Sequence, residues 1–158
     1  MNENNSLPPE NIIKLASLSD RFFAALVDGG IMALLIFLPL VIIYGLDGML
    51  ELQTQYGILY IATIFAIGQV IFLLIQGRLL FKYGQTIGKR YLEIKISDLN
   101  GNLPSFGTIY GLRYLSISII PLIPVIGGLL GLVDILCIFR KDRRCIHDLI
   151  AGTKVIAA

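Results

Sequence analysis

Phe22–Tyr44 reads FFAALVDGGIMALLIFLPLVIIY, and apart from its closing tyrosine the one ionisable side chain in it is Asp28. About twenty apolar residues in a row suffice to cross a bilayer core of roughly 30 Å. A carboxylate inside such a span costs at least about 2.5–3.5 kcal/mol. A side chain that expensive calls for a functional or structural partner, so Asp28 is the first candidate. The rest of the chain follows the same pattern. Hydrophobic residues make up 56% and charged residues only 15%, against about 25% in soluble domains. Mean hydropathy is +0.79. Two further apolar stretches follow, at about Ile58–Leu80 and about Phe106–Phe139.

The basic residues give a topology. Lys14 and Arg21 precede the first stretch. Arg78, Lys82, Lys89, Arg90, Lys95 and Arg113 run from the end of the second stretch to the start of the third. Arg140, Lys141, Arg143, Arg144 and Lys154 close the chain, whereas the Gly45–Gly57 loop holds only Asp47 and Glu51. Short loops rich in Lys and Arg stay in the cytoplasm, so the N-terminus, the middle block and the C-terminus all read as inside. The third stretch must then cross an even number of times. It is roughly 50 Å long as one helix, too long for one span and short for two. Pro121, Pro124, Gly127 and Gly128 break it. The expected form is a hairpin of two short helices, about 106–120 and 126–139, either crossing fully or re-entrant. The competing form is one kinked helix with an external C-terminus.

Tyr91–Ser97 alternates, with Leu92, Ile94 and Ile96 on one face and Glu93 and Lys95 on the other. That is strand periodicity. Asn100-Gly101 signals a tight turn, and Asn102–Ser105, containing Pro104, could return as an edge strand at best. Thr153–Ile156 is β-prone and is expected to pair with Leu92–Ser97. The fold class is therefore an all-α membrane bundle: two full transmembrane helices, a Pro/Gly-broken helical hairpin, and a small cytoplasmic β-element at about 91–105 with 153–157. Residues 1–15 read as a disordered N-terminus, and residues 16–158 as one domain with spans at about 22–44, 58–80, 106–120 and 126–139.

Three motifs occur in order: Ala16-Ser-Leu-Ser-Asp-Arg21 running on to Asp28, Gly84-Gln-Thr-Ile-Gly-Lys-Arg90 before the strand, and His147-Asp148-Leu-Ile-Ala-Gly-Thr-Lys-Val155. Together they resemble the RDD family of bacterial membrane proteins, named for one arginine and two aspartates, over about Ala16–Ile156. The resemblance matches the arginine to Arg21, the first aspartate to Asp28 and the second to Asp148, and it places Asp134 where many relatives carry an aspartate. It implies a multi-pass protein of the bacterial cytoplasmic membrane and, for function, transport of an unspecified ligand.

Arg21 and Asp28, seven residues apart, share a helix face. Asp134, six residues before Arg140, is expected at a depth like that of Asp28. Two carboxylates facing one cavity would raise each other's proton affinity and could exchange a proton for a cation, with Gln69 and Gln76 as neutral oxygen ligands or as helix–helix contacts. The plainer alternative pairs Asp28 with Arg113 or Arg21, or hydrogen-bonds it to a neighbouring helix, as a packing device. Arg21, at a helix end, reads first as a headgroup anchor. His147 with Asp148 could relay protons or simply form a turn. The cluster Arg140–Arg144 is expected to meet anionic lipid headgroups.

Other classes fall away. Gly84–Lys89 is one residue short of a phosphate loop, Arg90 stands in place of Ser or Thr, and a strand follows. One histidine with Cys137 and Cys145 gives too few His and Cys ligands for a zinc site, so neither a metal nor a cofactor is expected. The cysteines read as free thiols. No nucleophile, base and orienting group align, so no enzyme is expected, and no basic stripe suggests nucleic acid. Two functions remain: a small carrier, with cation/proton exchange and a homo-oligomer as the specific form, or a membrane scaffold binding a partner through its cytoplasmic sheet.

Overall fold

The computed structural model describes residues 13–123 and 126–158. The expected disorder of the first residues therefore lies, up to residue 12, outside the described part, as does Pro124. The chain is mostly helical. Helix α1 runs Leu18–Tyr56, with Ser17 as its N-cap accepting from the Asp20 amide at 3.0 Å. Helix α2 runs Ile58–Tyr83 and packs back on α1. Gly57, at φ 51°, makes the reversal. At Gly68 the two helices approach so closely that a Cβ would stand 3.3 Å from Ile36 Cδ1.

The segment Gly45–Gly57, read from sequence as a loop, is instead mostly helical. Gly45 takes φ 67° and ψ 172°, which kinks α1 there, and helical geometry resumes beyond it to Tyr56. Glycine accepts this backbone without steric cost. Both α1 and α2 are long and apolar enough to cross a membrane. Their apolar side chains stay uncovered by protein, with Ile42 74% and Leu74 78% exposed. A water-soluble helix pair of this composition would bury such a face.

Gly84 ends α2 in the left-handed conformation, its amide donating to Leu80 O at 3.0 Å. This is the usual glycine stop. A short helix α3, Ile87–Tyr91, follows and lies against α1. Strand β1, Ile94–Asp98, pairs antiparallel with β2, Thr153–Ala157, with Ile96 opposite Val155. Ile94, Ile96 and Val155 are buried in two small clusters beside Ala24 and Leu80. The turn after β1 forms at Asn100-Gly101, with Gly101 at φ 91°. Asn102–Ser105 does not return as a strand. Gly84 O accepts from Ile96 N at 2.8 Å on that side, and the N-terminal segment covers the outer edge of β2 through Ala16 N to Val155 O at 3.1 Å.

Helix α4, residues 107–122, opens as a wide π-helix over Gly107–Leu115, tightens through Ser116–Ile119 and ends as a 3-10 turn, Ile120–Leu122. Helix α5, Ile126–Leu136, is prolonged by the 3-10 turn Cys137–Phe139. The third apolar stretch thus forms two short helices. Helix α6, Ile146–Ile150, leads into β2.

Candidate functional site

One end of the bundle gathers the charged residues that the sequence scatters over more than a hundred positions. At its centre Asp148 is fully buried. Arg21 Nη2 donates to its Oδ2 at 2.7 Å, and Arg113 Nη1 donates to its Oδ1. Thr153 Oγ1 donates to Oδ1 at 3.2 Å and the Cys145 amide to Oδ2 at 3.2 Å. A carboxylate offers about four acceptor sites, and all four are taken. Burial alone would raise the Asp148 carboxyl, but the charges of Arg113, His147 and Arg21 outweigh it and hold the group below the usual carboxylate range.

The arginines are equally committed. Arg21 is 8% exposed, so it is an interior group and not the headgroup anchor expected of a helix end. Its Nη1 donates to Arg143 O, a carbonyl presented by a residue with φ 51°. Arg113 also donates to Thr153 Oγ1 at 2.9 Å. Neither arginine pairs with Asp28; of the forms the packing alternative allows, the structure has the one in which Asp28 hydrogen-bonds a neighbouring helix, α3. The basic cluster Arg140–Arg144 is divided as well. Arg143 Nη1 donates to Ala16 O at 3.0 Å and Arg144 Nε to Thr153 O at 2.9 Å, tying the chain end together, while Arg140 pairs at the surface with Asp142 at 3.2 Å.

Asp28 is held by the second motif. Thr86 Oγ1 donates to its Oδ2, the Gly88 amide donates to Oδ1 at 2.8 Å, and Lys89 Nζ stands 3.7 Å from Oδ2. Thr86 also caps α3. Gly88 is required sterically, because a Cβ there would overlap the carbonyl oxygen of Ala24 on α1. The segment that faintly resembled a phosphate loop therefore receives a carboxylate of the chain itself.

Asp134, 4% exposed on α5, pairs with His147. The ring Nδ1 lies 2.8 Å from Asp134 Oδ2, and the His147 amide donates to Oδ1 at 3.1 Å. Of the two readings of His147 with Asp148, the relay lacks a hydrogen bond, since His147 Nε2 is 3.9 Å from Asp148, while the turn is present, with Asp148 capping α6 by accepting the Cys145 amide. Adjacent helical residues point away from each other, which leaves His147 free to turn to another helix. Burial pushes the Cys145 thiol up to about 11, so it is not a ready nucleophile.

A cavity of about 380 Å³ joins these groups. Asp28, Lys89, Arg113, Asp134, Cys145 and His147 line it, together with Arg21, Tyr114 and apolar side chains of α1, α4 and α5. Two other crevices between α1 and α2, each also lined by α4, carry no charged residue. Gln69 and Gln76 stand apart from the charged cavity. Gln69 accepts from Tyr110 OH at 3.0 Å and Gln76 from the Ile87 amide at 3.3 Å, so both act as links between elements. Each carboxylate has a cation or a histidine of its own, so the direct repulsion expected between Asp28 and Asp134 is answered at both ends. Counting His and Cys alone overlooked that Asp134, Cys145 and His147 present ligand atoms within 4.8 Å of one another.

Two helices long and apolar enough to cross a membrane meet a charged end that holds one saturated aspartate, Asp148, and two that line the cavity, Asp28 and Asp134. The RDD family model matches residues 15–152, and the chain belongs to the RDD family. An uncharacterized protein of Haemophilus influenzae is 32% identical over 93 residues, which cover 57% of this chain and 56% of that relative. No solved structure matches.

Proposed function

We propose that the protein is a small carrier of the bacterial cytoplasmic membrane that exchanges a cation for protons through the charged cavity. The observation that carries this reading is the cavity's lining: Asp28 and Asp134, on different helices, open into one space beside Lys89 and His147. Proton-exchanging carboxylates in membrane helices take this form. A proton arriving at Asp28 releases Lys89, and one shared by Asp134 and His147 moves between an oxygen and Nδ1 over 2.8 Å. A cation entering the cavity replaces those protons as partner of the carboxylates.

In this reading the chain crosses four times, at α1, α2, α4 and α5, with both termini and the sheet in the cytoplasm. The positions of the basic residues support that orientation. Four short helices make a thin wall, which favours a homo-oligomer, and Lys141 and Arg140, the latter paired at the surface with Asp142, are exposed to meet anionic headgroups. No chemistry beyond proton transfer is assigned, so the protein is not read as an enzyme. The scaffold alternative is less well supported, because among the described residues both edges of the sheet are occupied by the chain itself.

The test uses proteoliposomes with an internal pH-sensitive dye. A sodium, potassium or lithium pulse should change the dye signal for the wild type and not for empty vesicles. No response to any of the three from folded, inserted protein removes exchange of these cations.

A further inference from the structure

We propose that Asp134, Cys145 and His147 form a binding site for a borderline divalent transition-metal ion such as Zn²⁺ or Co²⁺, with the remaining coordination position open to the cavity. The three come from α5, from the turn before α6 and from α6 itself, so only the folded chain assembles them. Their ligand atoms lie within 4.8 Å of one another. Two ligands on a tetrahedral ion stand roughly 3.3–3.8 Å apart, so shifts of about 1 Å close the set around an ion. All three line the cavity, which supplies an entry path and room for a water in the fourth position.

The donor set selects the ion. One thiolate, one imidazole and one carboxylate suit Zn²⁺ and its neighbours. Mg²⁺ and Ca²⁺ prefer oxygen alone. The charges also match, since a carboxylate and a thiolate together neutralise a dication. The thiol proton leaves to cavity water as the metal–sulfur bond forms, and the proton between His147 Nδ1 and Asp134 Oδ2 moves to the ring's other nitrogen or to cavity water, so that the ion replaces that 2.8 Å contact. Surrounding contacts fix the ligands. The His147 amide donates to Asp134 Oδ1 at 3.1 Å, and the Cys145 amide is held by Asp148 at 3.2 Å. Three cations share the cavity, but each has a carboxylate: Arg21, whose Nη2 stands 3.7 Å from Cys145 Sγ, and Arg113 pair with Asp148, and Lys89 stands by Asp28. Cys137, the other free thiol, is not part of the cluster.

The experiment titrates untagged full-length protein in detergent with Co²⁺ and follows the near-ultraviolet thiolate-to-cobalt charge-transfer band. One Co²⁺ per chain is expected, displaceable by Zn²⁺. The band is lost in Cys145→Ser and kept in Cys137→Ser, and Asp134→Asn and His147→Gln each weaken binding. Should Cys145→Ser fail to fold, X-ray absorption of the cobalt-loaded wild type decides: one sulfur among lighter atoms supports the site, and a shell of oxygen and nitrogen alone overturns it. Absence of stoichiometric binding, or a band that survives in Cys145→Ser, also overturns it. No ion gradient is involved, so the result stands whether or not the carrier reading holds.

Discussion

Asp148 and Asp28 are both carboxylates at the charged end of the bundle, yet the chain treats them differently. Asp148 is sealed: two arginines, a threonine hydroxyl and an amide take all its acceptor sites, and it has no exposed surface. Asp28 is held by one hydroxyl and one amide, its lysine stands off at 3.7 Å, and it lines a cavity. A saturated charge fixes geometry and has little freedom to change state. An incompletely paired charge beside open space can accept a proton or an ion. In the proposed exchange reading, the contrast gives Asp148 an architectural role and leaves Asp28, with Asp134 and His147, as the groups able to change state.

The sharpest way to break this contrast is to remove the sealed carboxylate. Asp148→Ala leaves Arg21 and Arg113 buried without a counter-charge. Stripping one partner from a buried ion pair costs about 3–5 kcal/mol. The variant should lose monodispersity in detergent or unfold far below the wild type in a thermal melt. A melt close to wild type would mean that the triad is not structural.

Gly88→Ala tests the same contrast from the other side. The new Cβ overlaps Ala24 O, so α3 must move off α1 and carry Thr86 away from Asp28. Overpacking of this kind costs about 1–3 kcal/mol. Proton flux should fall by more than the loss of folded protein explains, read as flux per inserted molecule.

Acid should unseat Asp148 by titration. Its carboxyl is held below the ordinary value in the folded protein. Such a group stabilises the fold above its unfolded value near 4, and that contribution is lost as pH falls through the lower folded value. Thermal stability should therefore hold down to about pH 4 and drop below it. The smallest effect is expected for Thr86→Val, which removes one cap and one hydrogen bond to Asp28 and costs about 1 kcal/mol. A melt combined with flux should show a modest stability loss and a clear change in transport.

Much of the helical architecture was legible. The apolar stretches gave the long helices, the Pro/Gly break gave two short ones, and period-two alternation at Ile94 and Ile96 marked β1. The motif residues Arg21, Asp28, Asp148 and Asp134 do meet at one end. Their partners were not legible. Thr86 and Gly88 lie 58 and 60 positions from Asp28, and Arg113 lies 35 from Asp148. Periodicity reports which face a residue occupies, never which distant residue it meets. His147 was read with its neighbour Asp148 because adjacency is what a sequence displays, although successive helical residues diverge by about 100°. The kink at Gly45 was read as the end of a helix, since a glycine near Asp47 and Gly48 looks the same in either case.

The most direct test of the central contrast is Asp28→Asn, with proton flux in proteoliposomes and unfolding temperature measured on the same preparation. Asparagine keeps the size of the side chain and an oxygen for the Gly88 amide, so the cost should stay below about 2 kcal/mol, or a few degrees in the melt. The account predicts near-normal insertion and folding with flux abolished. Flux retained at the wild-type level, or lost only in proportion to unfolded protein, would contradict it and return Asp28 to the same structural role as Asp148.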